Sequence, residues 1–441
     1  MRGAALLGGM AAVLGISAAA FHPLAALGIV VGIAAVAWVL SSALNATLAF
    51  IVVLLLRPAD HFPALAAMQP AKVVGIIAIL SWLITRLLKG DNSLPRAPHG
   101  RWMLALTGAV MLSATASTNP SASWELFADV FIKMLVMFGL VVHLVNTKPK
   151  AVRLHFSLAM CTVALALLAI HVRTSGLASV EGNRAGLVGL LGDPNDLALV
   201  LIIYVPLFTE LVLGTRGLWR VPSVIFLTIL IAGVFATVSR GGALGLMAAL
   251  AVTCYDRGPL SLRLLLAPTL ALVVAGMLLV AGVNDRTSGG LAVGQLDESA
   301  RGRLDMWQAG VRMTANNPLF GVGFGQFPRN YQSYARNPVH WKPIDAHNSF
   351  VKALAETGLV GFIPFMALVL LSLRVGHRSR KLEAPDDKPL ERAVRRAMLP
   401  SMVGFCVAAF FLSQCWSWFM FILFAQAAVI HSIWNAEPET A

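Results

Sequence analysis

The stretch DAHNSFVKALAETGLVGF, residues 345 to 362, sets a histidine and an asparagine directly before an apolar run that carries two glycines three residues apart. An imidazole titrates near neutrality, so His347 is equipped to take a proton from a hydroxyl. It precedes a helix predicted over about 348 to 373, and a helix N-terminus favours nearby negative charge. Gly358 and Gly361 are expected to let that helix pack tightly on a neighbouring helix. Arginines supply the complementary chemistry, because a planar guanidinium fits phosphate oxygens in bidentate fashion. Arg240 lies in VSRGGALG, 238 to 245, a link between two apolar runs with almost no loop. Its charge must therefore sit close to the hydrocarbon boundary, where it either snorkels or holds a partner. Gly241 and Gly242 would allow close backbone approach there. Arg303 lies in SARGRLDMWQAGVRMTANNP, 299 to 318, whose helical spacing stops at Pro318. It borders a face shared by Leu304, Trp307 and Val311, which suits either an interfacial snorkelling role or an anion site. Arg301, Asp305 and Arg312 fall on another face, with Arg301 and Asp305 spaced as an i to i+4 surface pair. A base beside several arginines is the inventory for removing a proton next to a bound anion.

These residues hang on a chain that belongs in a membrane. Of its 441 residues 58% are hydrophobic and only 12% charged, too little polar surface to cover a soluble domain. Apolar runs recur that can cross roughly 30 Å of hydrocarbon, which takes about 20 helical residues. Fourteen segments are candidates: about 4–20, 24–40, 43–56, 71–88, 102–116, 126–145, 153–171, 197–213, 221–238, 242–255, 264–283, 348–373, 397–413 and 416–434. Several are short, so the expected fold is an all-α polytopic membrane protein of about 12 (12–14) transmembrane helices, with one long outer loop containing short helices. The expected divisions are a helical bundle over 1–283, a loop subdomain over 284–346 and C-terminal membrane helices over 347–441. The N-terminal segment has no convincing small-residue cleavage site and is expected to be a retained first span.

Lysine and arginine are retained in cytoplasmic loops. The basic clusters at 86–101, 148–153, 216–220, 257–263 and 374–396 fall on one side if each apolar run crosses once, which makes that side the cytoplasm. The stretch 284–346 then faces outward, and its seven basic residues exceed its five acidic ones, against the usual bias. That excess is either a solvated surface with ion pairs or an outward anion site, to which Arg184 and Arg240 add from other outer loops. GVGFGQF, 321–327, has no flanking strand and is expected to be a turn. In GDPND, 192–196, Asp193 or Asn195 is expected to cap the next helix with Pro194 in its first turn, rather than to hold a metal. Cys161, Cys254 and Cys406 lie in apolar runs and Cys415 lies near a membrane surface, with no disulfide framework or CxxC site suggested.

HN, nine residues and GLVG together resemble the pattern of bacterial O-antigen ligases and of the wider superfamily that includes O-antigen polymerases and protein O-oligosaccharyltransferases. RLDMW, NPLFGVGFGQF, the arginine of VSRGG and GDPND before a span extend the resemblance over roughly 185–375. The resemblance implies a glycosyltransferase of the GT-C type in the bacterial inner membrane, with its active site facing the periplasm. It would join a glycan from undecaprenyl pyrophosphate to lipid A-core oligosaccharide. In that role His347 is the base, Asn348 orients it, and Arg240 and Arg303 stabilise the departing pyrophosphate, with Arg184 and Arg301 as weaker candidates. No metal or other cofactor is implied, and GxxxxGK is absent from the sequence. The expected partners are the lipid-linked donor, the lipid A-core acceptor and membrane lipids, with no nucleic acid. The acceptor stays open between ligation, polymerisation and protein glycosylation. A transporter without chemistry would carry ionisable groups deep in several spans, where Lys133 is the main deep charge and Glu210 lies toward a cytoplasmic end.

Overall fold

The computed structural model describes residues 23–61, 65, 67–90, 97–176, 179–180, 184–187, 189–217, 220–255, 298–336 and 344–435. The chain divides into two units, 1–93 and 94–441. In the first, α1 (Pro23–Leu40), α2 (Ala43–Leu56) and α3 (Pro70–Lys89) pack in sequence order. Ser42 starts α2 by accepting from the Asn45 N–H at 3.2 Å.

The second unit holds α4 (Pro98–Thr115), α5 (Pro120–Leu144), α6 (Lys148–Ser175), α7 (Pro194–Ile202), α8 (Val205–Gly214), α9 (Arg220–Thr237) and α10 (Arg240–Tyr255). It continues with α11 (Glu298–Asn316), α12 (Phe327–Tyr334), α13 (Ser349–Lys381), α14 (Pro389–Ala409) and α15 (Trp418–Ile430). Among the described residues, seven helical segments are long and apolar enough to cross a membrane, and Arg240–Tyr255 and Trp418–Trp434 are shorter apolar helices. The polytopic helical fold is as expected. Candidate segments 4–20 and 264–283, and loop residues 284–297 and 337–343, lie outside the described residues; every other candidate segment is helical. One feature departs from a purely helical chain: Ser179–Val180 and Arg184–Ala185 pair as a two-stranded antiparallel hairpin.

Helices α13 and α14, with α10 and α4, form the packed centre. Small residues let the backbones approach: a Cβ on Gly245 of α10 would lie 2.7 Å from the Gly404 carbonyl of α14. The run predicted as one span over 197–213 is two helices. Pro206 cannot donate to the carbonyl four residues earlier, the chain turns at Ile203–Tyr204, and Ser401 of α14 donates to the Ile203 carbonyl at 2.5 Å. A backbone carbonyl freed inside a membrane needs such a partner.

Gly358 corrects its sequence reading. Rather than packing against a helix, it breaks one: φ is 57° and ψ is −164° within α13. The break frees carbonyls on its N-terminal side, and the backbone of GVGFGQF fills them. Val322 N–H donates to Ala355 O at 2.9 Å and Gly323 N–H to Glu356 O at 3.1 Å, while Leu359 N–H donates to Pro318 O at 2.8 Å. Gly361 is buried, and a Cβ there would meet the Thr357 side chain one turn earlier. GVGFGQF is a turn as expected, with Gly321, Gly323 and Gly325 at φ 68°, 112° and 74°. Its other side is tied to the loop before α5, where Thr118 N–H donates to Val322 O at 3.0 Å, and to the first turn of α5, where Ser123 Oγ donates to Phe324 O at 2.8 Å.

Met306, Ala309 and Met313 bury one row of α11 against Phe327, Tyr331, Ala346 and Ala355. The other apolar row leaves Leu304 and Val311 exposed. Asp305 accepts from the Tyr331 hydroxyl at 2.5 Å, and Arg312 donates to the Tyr334 carbonyl at 2.7 Å.

Candidate functional site

His347 and Asn348 form the entry into α13. Asn348 is buried, and its Oδ1 accepts from the N–H groups of Phe350 and Val351 at 2.9 and 3.0 Å. The asparagine therefore starts the helix, satisfying two donors that an N-terminus would otherwise leave open. His347 is half-buried at φ 47°, and its N–H donates to Ser413 Oγ at 2.9 Å. Ser349 Oγ donates to the Leu412 carbonyl at 2.6 Å and accepts from Gln414 N–H at 2.8 Å. The turn bearing His347 is thus stitched to Leu412–Gln414, between α14 and α15.

The same segment reaches two of the arginines. Phe411 lies under the Arg303 guanidinium, 6.0 Å from carbon to ring centroid. A Cβ on Gly241 would stand 3.3 Å from Phe411 Cβ, so the turn that carries Arg240 abuts the same phenylalanine. Arg240 is exposed at the first position of α10. Val238, two residues earlier, takes φ 50°, an unusual state for a β-branched residue. Ser239 then caps α10, accepting from Gly242 N–H at 3.0 Å.

Arg184 is drawn to this turn from the hairpin. Its Nε donates to the Thr237 carbonyl at 3.2 Å and its Nη2 to Asn195 Oδ1 at 2.9 Å. Asn195 Oδ1 also accepts from Ser239 Oγ at 2.8 Å, so one amide oxygen ties Arg184 to the cap of α10. GDPND does act as a cap: Asp193 Oδ1 accepts from Asn195 N–H at 2.8 Å, and Pro194 opens α7. Arg301 is helical in α11, but its side chain lies outside the described residues. Among the described residues, no three His, Cys, Asp or Glu side chains cluster where a metal ion could be held.

A second group beneath His347 went unread in the sequence. Lys352 Nζ meets Asp345 Oδ2 at 2.5 Å and Glu356 Oε1 at 3.9 Å. Glu356, fully buried, accepts from Trp416 Nε1 at 2.7 Å and Phe327 N–H at 3.1 Å. This carboxylate ties the start of α12, the first turns of α13 and the 410–417 segment together. Trp416 is held in turn by Phe324 and Phe365, at ring separations of 5.3 and 5.8 Å. The available signal was a lysine and a glutamate four residues apart inside an apolar helix, where ionisable groups seldom occur without a purpose. Gln414 Nε2 reaches Asp196 Oδ1 at 2.6 Å, linking α7 to the same place. All four cysteines are free thiols among the described residues. Burial pushes the Cys415 thiol well above its ordinary range, so it stays protonated and is a poor nucleophile.

The deep charges expected of a transporter are accounted for differently. Lys133 pairs with Asp129 at 3.7 Å, and both are exposed. Glu210 is buried but meets Arg396 at 3.1 Å and Arg380 at 3.6 Å.

Residues 225–366 match the family described as O-Antigen ligase. Over 220 residues, 45% of this chain, the sequence is 28% identical to the exopolysaccharide production protein ExoQ of Rhizobium meliloti (strain 1021). The match takes in 48% of that protein, so the chain spans about half the length of this relative.

Proposed function

Because the chain carries an O-antigen ligase family domain over residues 225–366, we propose that it moves a glycan from undecaprenyl pyrophosphate to lipid A-core oligosaccharide at the periplasmic face of the inner membrane. His347 takes the proton from an acceptor hydroxyl, and that oxygen attacks the anomeric carbon of the donor. The bond from that carbon to the pyrophosphate oxygen breaks, and Arg240 and Arg303 stabilise the departing anion. The proton then passes from His347 to solvent. Pyrophosphate is a good leaving group and the arginines supply its countercharge, so the displacement needs neither ATP nor a metal ion. Arg184, already bonded to Asn195 and Thr237, serves mainly to fix the Arg240 turn. Asn348 acts by starting the helix that presents His347 rather than by touching the imidazole.

One observation carries this reading: Phe411–Ser413 abuts Arg303, the turn beside Arg240 and the backbone of His347 at once. A second reading keeps the chemistry and makes another lipid-linked glycan the acceptor. The relative named for exopolysaccharide production favours it. Purified protein given an undecaprenyl pyrophosphate-linked glycan, with and without lipid A-core, separates the two. Sugar gained by lipid A-core is expected. Growth of the lipid-linked glycan alone would replace ligation by polymerisation, and no transfer in either arm would overturn the enzymatic reading.

A further inference from the structure

We propose that Ser413 is a positioning residue for His347, and that Phe411–Gln414 is the element that aligns the base with the anion site. The segment lies beyond the family match, which ends at residue 366. Four consecutive residues each hold a different part of the site. Phe411 packs under Arg303, the Leu412 carbonyl accepts from Ser349, Ser413 accepts from His347 N–H, and Gln414 bonds Asp196 of α7.

The need for such an element follows from the backbone of His347. At φ 47° it is in the left-handed region, which a side-chain-bearing residue holds only when its surroundings impose it. Asn348 is spent on the N–H groups of Phe350 and Val351, so it fixes the helix start and not the residue before it. The His347 N–H is the first donor upstream of the cap, and the Ser413 hydroxyl takes it. The hydroxyl sits on a segment fixed by Gln414 N–H on Ser349 and by Gln414 Nε2 on Asp196. Without Ser413 the left-handed turn can relax and swing the imidazole away from the direction that Arg303 and Arg240 set through Phe411.

This inference rests on the reading of His347 as the base, and its test separates the two. The full-length protein in lipid vesicles is assayed with an undecaprenyl pyrophosphate-linked glycan and lipid A-core. The variants are Ser413→Ala, Ser413→Thr, His347→Ala and the Ser413→Ala/His347→Ala double. Ser413→Ala should lower kcat by about 10- to 100-fold, the scale of a misplaced catalytic group, while the donor KM stays within about twofold because no anion contact is lost. Ser413→Thr keeps the acceptor and should recover most of the rate. The double variant should be no slower than His347→Ala, since Ser413 acts through the histidine. Should Ser413→Ala fail to fold, Ser413→Cys, a weaker acceptor of similar size, takes its place with the same outcomes expected. Wild-type kcat in the variant that folds, or a double variant slower than His347→Ala, overturns the role of Ser413 while leaving His347 as base. Wild-type activity of His347→Ala overturns both, and is recognised as the failure of the base itself.

Discussion

At the residue scale, the proposed mechanism divides the chemistry between one imidazole and two guanidiniums. Arg240→Ala and Arg303→Ala should each abolish measurable transfer. Lys at either position should restore only part, because an ammonium is a point charge and cannot form the bidentate fork. Arg336, exposed just after α12, is the control, and Arg336→Ala should keep near-normal rates in the same assay. Full recovery by both lysine variants would contradict bidentate binding of the leaving group. His347 and Arg240 stand out in the sequence because each lies at a polar edge of an apolar run, and Arg303 because it borders the apolar face of a loop helix; their roles are the ones proposed above. Ser413 and Gln414 do not stand out. They lie some 65 residues from their partners, and a serine or glutamine between two apolar runs reads as an ordinary loop. The capping by Asn348 went unread in the sequence, although asparagine before a helix is among the commonest caps.

At the scale of elements, the break in α13 is the decisive device. It opens a helix so that a glycine-rich turn can bond to its carbonyls, fixing the Arg303 loop against the helix that follows His347. Gly358→Ala must hold a left-handed φ and would place a Cβ against the backbone of Leu319 and Phe320. It should destabilise the fold by roughly 1–3 kcal/mol from backbone strain, with the clash adding to that. Gly139→Ala in α5, where nothing lies within 4 Å, should be neutral or stabilise by about 0.5–1 kcal/mol. Thermal unfolding in detergent compares the two; equal melting temperatures would contradict the break. The sequence offered GLVG as a packing motif, and spacing alone cannot tell a glycine that admits a neighbour from one that ends a turn. The hairpin of Arg184 was equally hidden, since two-residue strands carry no alternation to read. Beyond the C-terminal end of α13, Asp387 joins α6, α14 and the segment after α15 by bonding Lys148, Arg395 and Trp434 at 2.8, 2.8 and 3.1 Å. Burial alone would raise its carboxyl, but these donors outweigh burial and hold it below the usual range. Because the folded state depresses this pKa, the stability it contributes is present above the ordinary carboxylate range and is lost as pH falls through the lowered value. Asp387→Asn should melt earlier at neutral pH and should lose less of its remaining stability on acidification than the wild type. An identical acid slope in both would contradict the assignment.

At the scale of the whole molecule, the account requires the loop of α11 and α12 to face outward, with the basic end of α13 in the cytoplasm. A cysteine replacing exposed Arg336 should react with a membrane-impermeant maleimide in intact spheroplasts, whereas one replacing exposed Glu383 should react only after permeabilisation. The reverse pattern would invert the topology and remove His347 from any periplasmic substrate. Membrane character and most helix positions were legible because hydrocarbon thickness imposes a length on every apolar run. What composition could not convey is that 197–213 and 348–373 are interrupted, since a break satisfied by Ser401 or by Val322 and Gly323 leaves hydropathy unchanged. The central claim, that this chain transfers a glycan with His347 as the base, is tested most directly by transfer rate at matched protein level for wild type and His347→Ala. The account predicts a folded, membrane-inserted variant whose transfer from an undecaprenyl pyrophosphate-linked glycan is about 10²- to 10⁴-fold slower. A His347→Ala protein that transfers at the wild-type rate would contradict it.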